Sequence, residues 1–403
     1  MCFLLLLAAA PIRSVGPTAV LWTAPAILIA SMLIAWGAES AQFFIAQGFA
    51  LAILAWMQTL PEFAVEAVLA WKQQTPFLLA NLTGALRLLT GLGWPMIYFA
   101  AAFVHRKRTG TPLNRIVLEE QHGVQVVGLL VPLLYAAWIY LKASLNIFDA
   151  VILIAIYSVY LWLLSRMPPE QEEGMEELEA IPRAIVLSPP ARRNLLIAAC
   201  FLGGGALIYF TAESFLGSLM AVSGFLGIPA FLFIQWIAPV VSEFPEMAST
   251  FYFARTVVKA PMALMNMVSS NINQWTLLVA MLPIVFSLSA GRPTHIPLDP
   301  EQQLELLLTI GQAFLGMLFL VNMELAWWEA LILFVLWIGQ VVLSTVSHDR
   351  LGPFSLVARY NREWITGTYF GLSAVELLRT IFGSRKAQAF RAFAASLREM
   401  KRA

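Results

Sequence analysis

Charge is what this sequence has least of. Only 12% of its 403 residues are Asp, Glu, Lys or Arg, about half the share of a soluble domain. A soluble globular protein is excluded on that ground. Acidic and basic residues nearly cancel, leaving a net charge of +1, so nothing points to nucleic acid or to an acidic partner. Cysteine is almost missing. Cys2 and Cys200 make neither a disulfide framework nor a thiolate metal cluster. The four histidines, His105, His122, His295 and His348, are scattered through loop-like segments. Glu119, Glu120 and His122 have a metal-compatible spacing, but a solvated loop explains them better. No nucleophile–base pair and no Gly-rich phosphate loop is visible. An enzyme is therefore not expected, nor a bound cofactor.

What is abundant is apolar sequence: 60% hydrophobic residues and a mean hydropathy of +0.76. A spanning helix needs about 20 mostly apolar residues. On that measure the chain is an all-α polytopic membrane protein with about ten transmembrane helices. Five lie at Ala19–Gly37, Phe43–Trp71, Pro76–Val104, Val124–Leu141 and Ile147–Ser165. Five more lie at Leu195–Phe215, Leu226–Arg255, Ala260–Leu288, Leu304–Met323 and Leu325–Thr345. The acidic, Pro-containing stretch 166–194 reads as a solvated linker between them. Residues 1–165 then form one five-helix repeat and 195–345 the other, followed by a basic extension, 346–403. An odd number of spans per half sets two related halves in opposite orientations, the inverted-repeat plan of secondary transporters.

The short basic loops, with Arg106, Lys107, Arg108 and Arg115, with Arg166, Arg183, Arg192 and Arg193, and with Arg255 and Lys259, fall on one side. That side is expected to be cytoplasmic, which places both termini outside. The basic tail conflicts with this. Trp364–Phe382 is either an eleventh span or, given Glu376 and Arg379 within it, an amphipathic surface helix.

Two stretches echo each other. Met57-Gln58-Thr59-Leu60-Pro61-Glu62 is followed by Ala80-Asn81-Leu82-Thr83-Gly84. Val241-Ser242-Glu243-Phe244-Pro245-Glu246 is followed by Met265-Asn266, with Ser269-Ser270-Asn271-Ile272 after it. A carboxylate within hydrocarbon costs at least about 2.5–3.5 kcal/mol, so a repeated Pro-Glu inside spans indicates a duplicated ion site. Gln58, Thr59 and Glu62 share one helix face, as do Ser242, Glu243 and Glu246. Each proline has no N–H for the carbonyl four residues back, Met57 or Val241. Freed carbonyls, carboxylates, hydroxyls and amides are the ligands a hard cation prefers. Ala38-Glu39-Ser40 and Ala212-Glu213-Ser214 form a third, weaker echo.

At these residues the chain resembles the sodium/calcium exchanger family of the cation/calcium antiporter superfamily. That family carries two repeats, each with a G-T-S-x-P-E stretch and a G-N-x-x-G-S-N-I-F-N/D stretch. The resemblance implies a ten-helix inverted-repeat fold and antiport of Ca²⁺ against Na⁺ or H⁺ by alternating access. It implies a multi-pass protein of the plasma membrane, with lipid and small inorganic cations as its partners. The family's central glutamates fall on Glu62 and Glu246, its metal-binding carboxylates. Its hydroxyl pairs fall on Gln58 and Thr59, and on Ser242 and Glu243. Its asparagine falls on Asn81 and Asn266. Its Ser-Asn pair survives as Ser270 and Asn271, while the first half has Ala85 and Leu86 there, followed by Arg87, and the last motif position holds Leu89 and Gln274. On helical spacing Arg87 points away from the site toward an acidic partner, or, if the helix breaks there, into a cation position. These departures leave a second reading open: an exchanger scaffold that no longer transports and serves as a sensor or assembly partner.

Overall fold

The computed structural model describes residues 15–44, 59–167, 178, 180–345 and 359–400. The first half contains α1 (Val20–Ala41), α2 (Leu60–Trp71), α3 (Thr75–Leu88), α4 (Trp94–Thr109), α5 (Gly123–Lys142) and α6 (Ile147–Leu164). A short helix α7 (Ala180–Val186) precedes α8 (Pro190–Leu226), α9 (Ala230–Ser242), α10 (Phe244–Ala254), α11 (Ala260–Asn273), α12 (Val279–Ala290), α13 (Pro300–Leu320) and α14 (Trp327–Thr345). Helices α15 (Asn361–Ile381) and α16 (Gln388–Met400) follow. Among the described residues, eight helical runs are long and apolar enough to cross a membrane. The other two expected spans are the interrupted ones. The second is described from Thr59 onward, and the seventh is divided into α9 and α10 at Glu243.

Among the described residues, α2–α6 of the first half correspond in order to α10–α14 of the second. In each, the third span is interrupted by one π turn, Leu89–Gly93 between α3 and α4 and Gln274–Leu278 between α11 and α12. Such turns let a helix bulge, and they recur at functional sites. Four three-residue strands interlock the halves. β1 (Arg115–Val117) pairs antiparallel with β4 (Glu324–Ala326), and β2 (Ser144–Asn146) with β3 (His295–Pro297). β1 precedes α5 and β2 follows it, so the two ribbons close opposite ends of the bundle. This alternation is what five crossings per half require. The main apolar core gathers α3–α6 and α11–α14. A separate cluster of Ile27, Ala30, Ile34, Ile208, Ala212, Phe215 and Leu219 joins α1 to α8. Gly204 makes that crossing close, because a Cβ there would lie 2.8 Å from the Ala30 carbonyl.

Two boundaries differ from the sequence reading. The sixth span, expected over Leu195–Phe215, extends to 37 residues, about 56 Å of helix. Its polar first turn continues the helix beyond the apolar stretch. The linker is partly structured, with Leu178, Pro182, Ile185 and Val186 buried. The C-terminal extension forms a long helix against the bundle. α15 runs beside α13 from end to end. At one end Arg362 pairs with Glu305 (2.8 Å) and Glu301 (3.8 Å). Past the other end, Arg385 bonds Asn322 (2.8 Å) and the Phe319 carbonyl. Its 21 residues span about 31 Å, and its outer face is apolar, with Trp364, Val375, Leu378 and Ile381 exposed. The charges that argued for a surface position are paired. Glu376 bonds Arg379 (2.7 Å) and Arg385 (2.8 Å). α15 is thus packed along α13, although it is not among the eight helical runs apolar enough to cross a membrane.

Candidate ion-binding site

The site forms where both interrupted spans break. Thr59 (φ −89°, ψ 0°) precedes α2, and Glu243 (φ −87°, ψ −6°) precedes α10. Both occupy the sparsely allowed bridge region. Pro61 and Pro245 fall in the first turn of the helix that follows, where an N–H has no intrahelical partner in any case. The seventh span is broken there, α9 ending at Ser242 and α10 starting at Phe244, as expected of a proline that opens the helix. Met57 and Gln58 lie outside the described residues. Glu62 and Glu246 fall in these same first turns, where the helix dipole favours a negative charge.

Four carboxylates gather there, all buried: Glu62, Glu66, Glu243 and Glu246. The Asn81 amide donates to Glu62 Oε1 (2.9 Å) and to Glu66 Oε1 (3.0 Å). The Ser242 hydroxyl, from the other half, donates to Glu62 Oε2. Ser270 donates to Glu246 Oε2 (2.9 Å) and Gln274 to Glu243 Oε1 (2.5 Å). Asn273 donates to the Thr59 hydroxyl (2.7 Å), a second link between halves. Glu66 Oε2, Asn81 Oδ1, Glu246 Oε1 and Gln274 Oε1 are buried with no hydrogen-bond partner. Buried oxygens normally find one, so these are acceptors in search of a positive ligand. Among the described residues, no three acid, imidazole or thiol groups already close on one metal position.

Glu62, Thr59, Asn81, Ser242, Glu243, Glu246 and Ser270 come together as the sequence reading expects. Asn266 does not: it is exposed. Asn81 and Asn266 match in sequence, but only Asn81 faces the acids. Asn271 is buried yet turned aside. It bonds the Met267 carbonyl (3.2 Å) and accepts from Thr90 (3.4 Å) at the opposite π turn. Sequence reasoning missed Glu66, although its place one helical turn beyond Glu62 was a usable signal. The departure at Arg87 resolves away from the site. Its guanidinium pairs with Glu305 (2.7 Å), bonds the Thr83 carbonyl (2.9 Å) and lies over the Trp236 ring (5.0 Å). Glu39 is buried, whereas Glu213 is exposed and pairs with Lys72 (2.6 Å). Glu119 and His122 form a capping box before α5, not a metal site.

The sodium/calcium exchanger protein family matches residues 15–166 and 196–346. The chain belongs to that family. Both matched segments coincide with the five-helix halves, so this exchanger-family protein has the two-repeat architecture. A solved structure of the H⁺/Ca²⁺ exchanger CAX is similar to it at 32% identity and a TM-score of 0.80, covering 95% of this chain and 90% of that one. The sodium-calcium exchanger NCX_Mj, soaked with Na⁺ and Sr²⁺, aligns at 17% identity and a TM-score of 0.52, over 80% of this chain and 96% of that one. The same protein soaked with zero Na⁺ and Ca²⁺ aligns at 16% identity and a TM-score of 0.51. These last two speak for the fold alone. No curated protein matches the chain.

Proposed function

We propose that this protein exchanges Ca²⁺ for H⁺ across the plasma membrane by alternating access around the four-carboxylate cluster. The observation that carries the reading is the set of unpartnered, buried oxygens on Glu66, Asn81, Glu246 and Gln274 beside Glu62 and Glu243. Ca²⁺ takes six to eight oxygens, and Glu62 and Glu246 supply the two charges that neutralise it. Four carboxylates exceed the charge of one Ca²⁺ by two, and acids packed this closely without a metal hold protons. Protons leave as Ca²⁺ enters and return as it departs. The likeness to an H⁺/Ca²⁺ exchanger over nearly the whole chain supports H⁺ over Na⁺ as the counter-ion. Donors from both halves meet on Glu62, so relative movement of the halves makes and breaks the site, as a rocking mechanism needs.

We also place α15 across the membrane as an eleventh crossing, which bears on orientation. With eleven crossings the basic tail, including Lys386, Arg391 and Arg398, reaches the side of the basic loops. We place that side in the cytoplasm. The test of function is ⁴⁵Ca²⁺ uptake into proteoliposomes under imposed H⁺ or Na⁺ gradients. Uptake driven by H⁺ and not by Na⁺ is expected. No uptake under either gradient, with folded protein, would overturn the reading.

A further inference from the structure

A fifth buried acid, Glu305, stands apart from the ion site and ties together the helices that build it. One of its oxygens, Oε2, accepts from Arg87 on α3 (2.7 Å) and from the Gln235 amide on α9 (2.9 Å). The other, Oε1, accepts from Arg362 on α15 (2.8 Å). α3 carries Asn81, and α9 ends at Ser242. Those two residues hold Glu62 from either side. Between hub and site, α3 and α9 nearly touch, since a Cβ on Gly84 would lie 1.9 Å from the Gln235 carbonyl oxygen. Gln235 therefore faces both ways, its carbonyl against α3 and its side chain toward Glu305. The Arg87 carbonyl accepts from Gln312 (3.0 Å) on α13, fixing the same turn a second time. The hub joins the two halves and has no symmetry-related copy. In the matched places of the other half stand Gln125 for Glu305 and Ile272 for Arg87.

Resting on the proposed Ca²⁺ site, we infer that Glu305 is a positioning residue for it. Through Arg87 and Gln235 it sets α3 against α9 and so sets Asn81 against Ser242 around Glu62. Arg362 completes the hub, which makes the C-terminal helix α15 part of the ion-binding unit. A carboxylate facing two guanidinium groups and an amide is held through both oxygens by charge-assisted hydrogen bonds. Removing one donor lets Glu305 shift toward the others and drag their helices.

The experiment is calorimetric Ca²⁺ binding to purified full-length protein, with the folded fraction fixed by size-exclusion chromatography and thermal melting. The variants are Arg362→Gln, Arg362→Lys and Gln235→Leu. Arg362 is partly exposed, so its loss leaves the buried Arg87–Glu305 pair intact. Removing a hydrogen bond to a charged group is expected to weaken Ca²⁺ binding about tenfold per folded molecule in Arg362→Gln and Gln235→Leu. Arg362→Lys should restore most of it. A merely structural role would lower the folded fraction and leave the Kd of the remainder unchanged. A Kd within about twofold of wild type in either folded variant overturns the inference. Each is read by itself, so misfolding of one leaves the other decisive. Wild-type protein that binds no Ca²⁺ overturns the proposed function instead, and this inference with it.

Discussion

Gly84→Ala is a one-carbon change with a calculable consequence. The added Cβ would meet the Gln235 carbonyl oxygen at 1.9 Å. A carbon–oxygen contact rests near about 3.3 Å, so α3 and α9 must part by roughly 1.4 Å. The obstacle is backbone on both sides, and no rotamer relieves it. Parting the helices stretches the Gln235–Glu305 bond from 2.9 Å to beyond 4 Å if it takes up the whole displacement, past the limit of a hydrogen bond. It also draws Ser242 from Glu62. Overpacking costs about 1–3 kcal/mol, and a lost bond to a charged group about 1.5–3 kcal/mol more. The sum, roughly 2.5–6 kcal/mol, is a large share of a typical stability of about 5–15 kcal/mol. The variant should melt well below wild type and bind Ca²⁺ at least about tenfold more weakly. Gly205→Ala is the control. A Cβ at Gly205 meets nothing within 4 Å, so that change should raise stability by up to about 1 kcal/mol through helix propensity. The assays are thermal melting in detergent and calorimetric Ca²⁺ titration. If Gly84→Ala melts and binds like Gly205→Ala, the close approach of α3 and α9 is wrong.

Glu62→Gln and Glu246→Gln each remove a charge from the cluster and should abolish saturable Ca²⁺ binding by calorimetry. Unchanged binding in both would remove the site's centre. Glu66→Gln is expected to weaken binding about tenfold or more, since a neutral amide is a poorer ligand for a hard cation; an unaltered isotherm would confine Glu66 to a structural part. Arg385→Met should cost about 3–5 kcal/mol, read as a lower melting temperature. It strips Glu329 of a guanidinium held at 2.5 Å and leaves a buried carboxylate uncompensated; a melting curve like wild type would show that the pair is dispensable.

The membrane class, the two halves and the Pro-Glu positions were legible because each rests on a local signal: run length, spacing, or a charge where none should be. Glu66 shows the limit of such reading. It repeats Glu62's face after four residues, but burial decides that it belongs to the site, and burial is a tertiary fact. Asn81 and Asn266 hold equivalent motif positions, yet only one turns to the acids, since packing sets how far each helix is rotated. The π turns at Leu89–Gly93 and Gln274–Leu278 lie beyond both asparagines and were equally hidden in the sequence. An extra residue in a turn shifts the faces beyond it, and no composition marks that shift. The helical reading aimed Arg87 away from the site, but its partner Glu305 lies far off in sequence and was invisible. For α15, internal charges suggested a water-facing helix. Glu376 and Arg379 pair with each other, and Glu376 also takes Arg385 from past the end of α15; that last partner is what a single-helix reading misses.

The two halves have diverged in chemistry while keeping their geometry. The second retains Ser270 beside Glu246 and adds Glu243 at the hinge. In the first half, Ala85 and Leu86 stand where the family motif has Ser and Asn, and Glu66 adds a carboxylate one turn beyond Glu62. Each half thus brings two acids, but not at matched places: Thr59 stands opposite Glu243, and Thr250 opposite Glu66. Thr250 spends its hydroxyl on the Glu246 carbonyl and offers the cluster nothing. Cation charge is therefore shared equally by the halves while the neutral donors are not. A site that must bind from either side needs balanced charge more than identical ligands, because charge sets whether the cluster crosses the bilayer neutral. Arg87 fits the same logic. Its charge would spoil that balance if it faced the acids, and pairing with Glu305 removes it from their reckoning while tying α3 to α13 and, through Arg362, to α15.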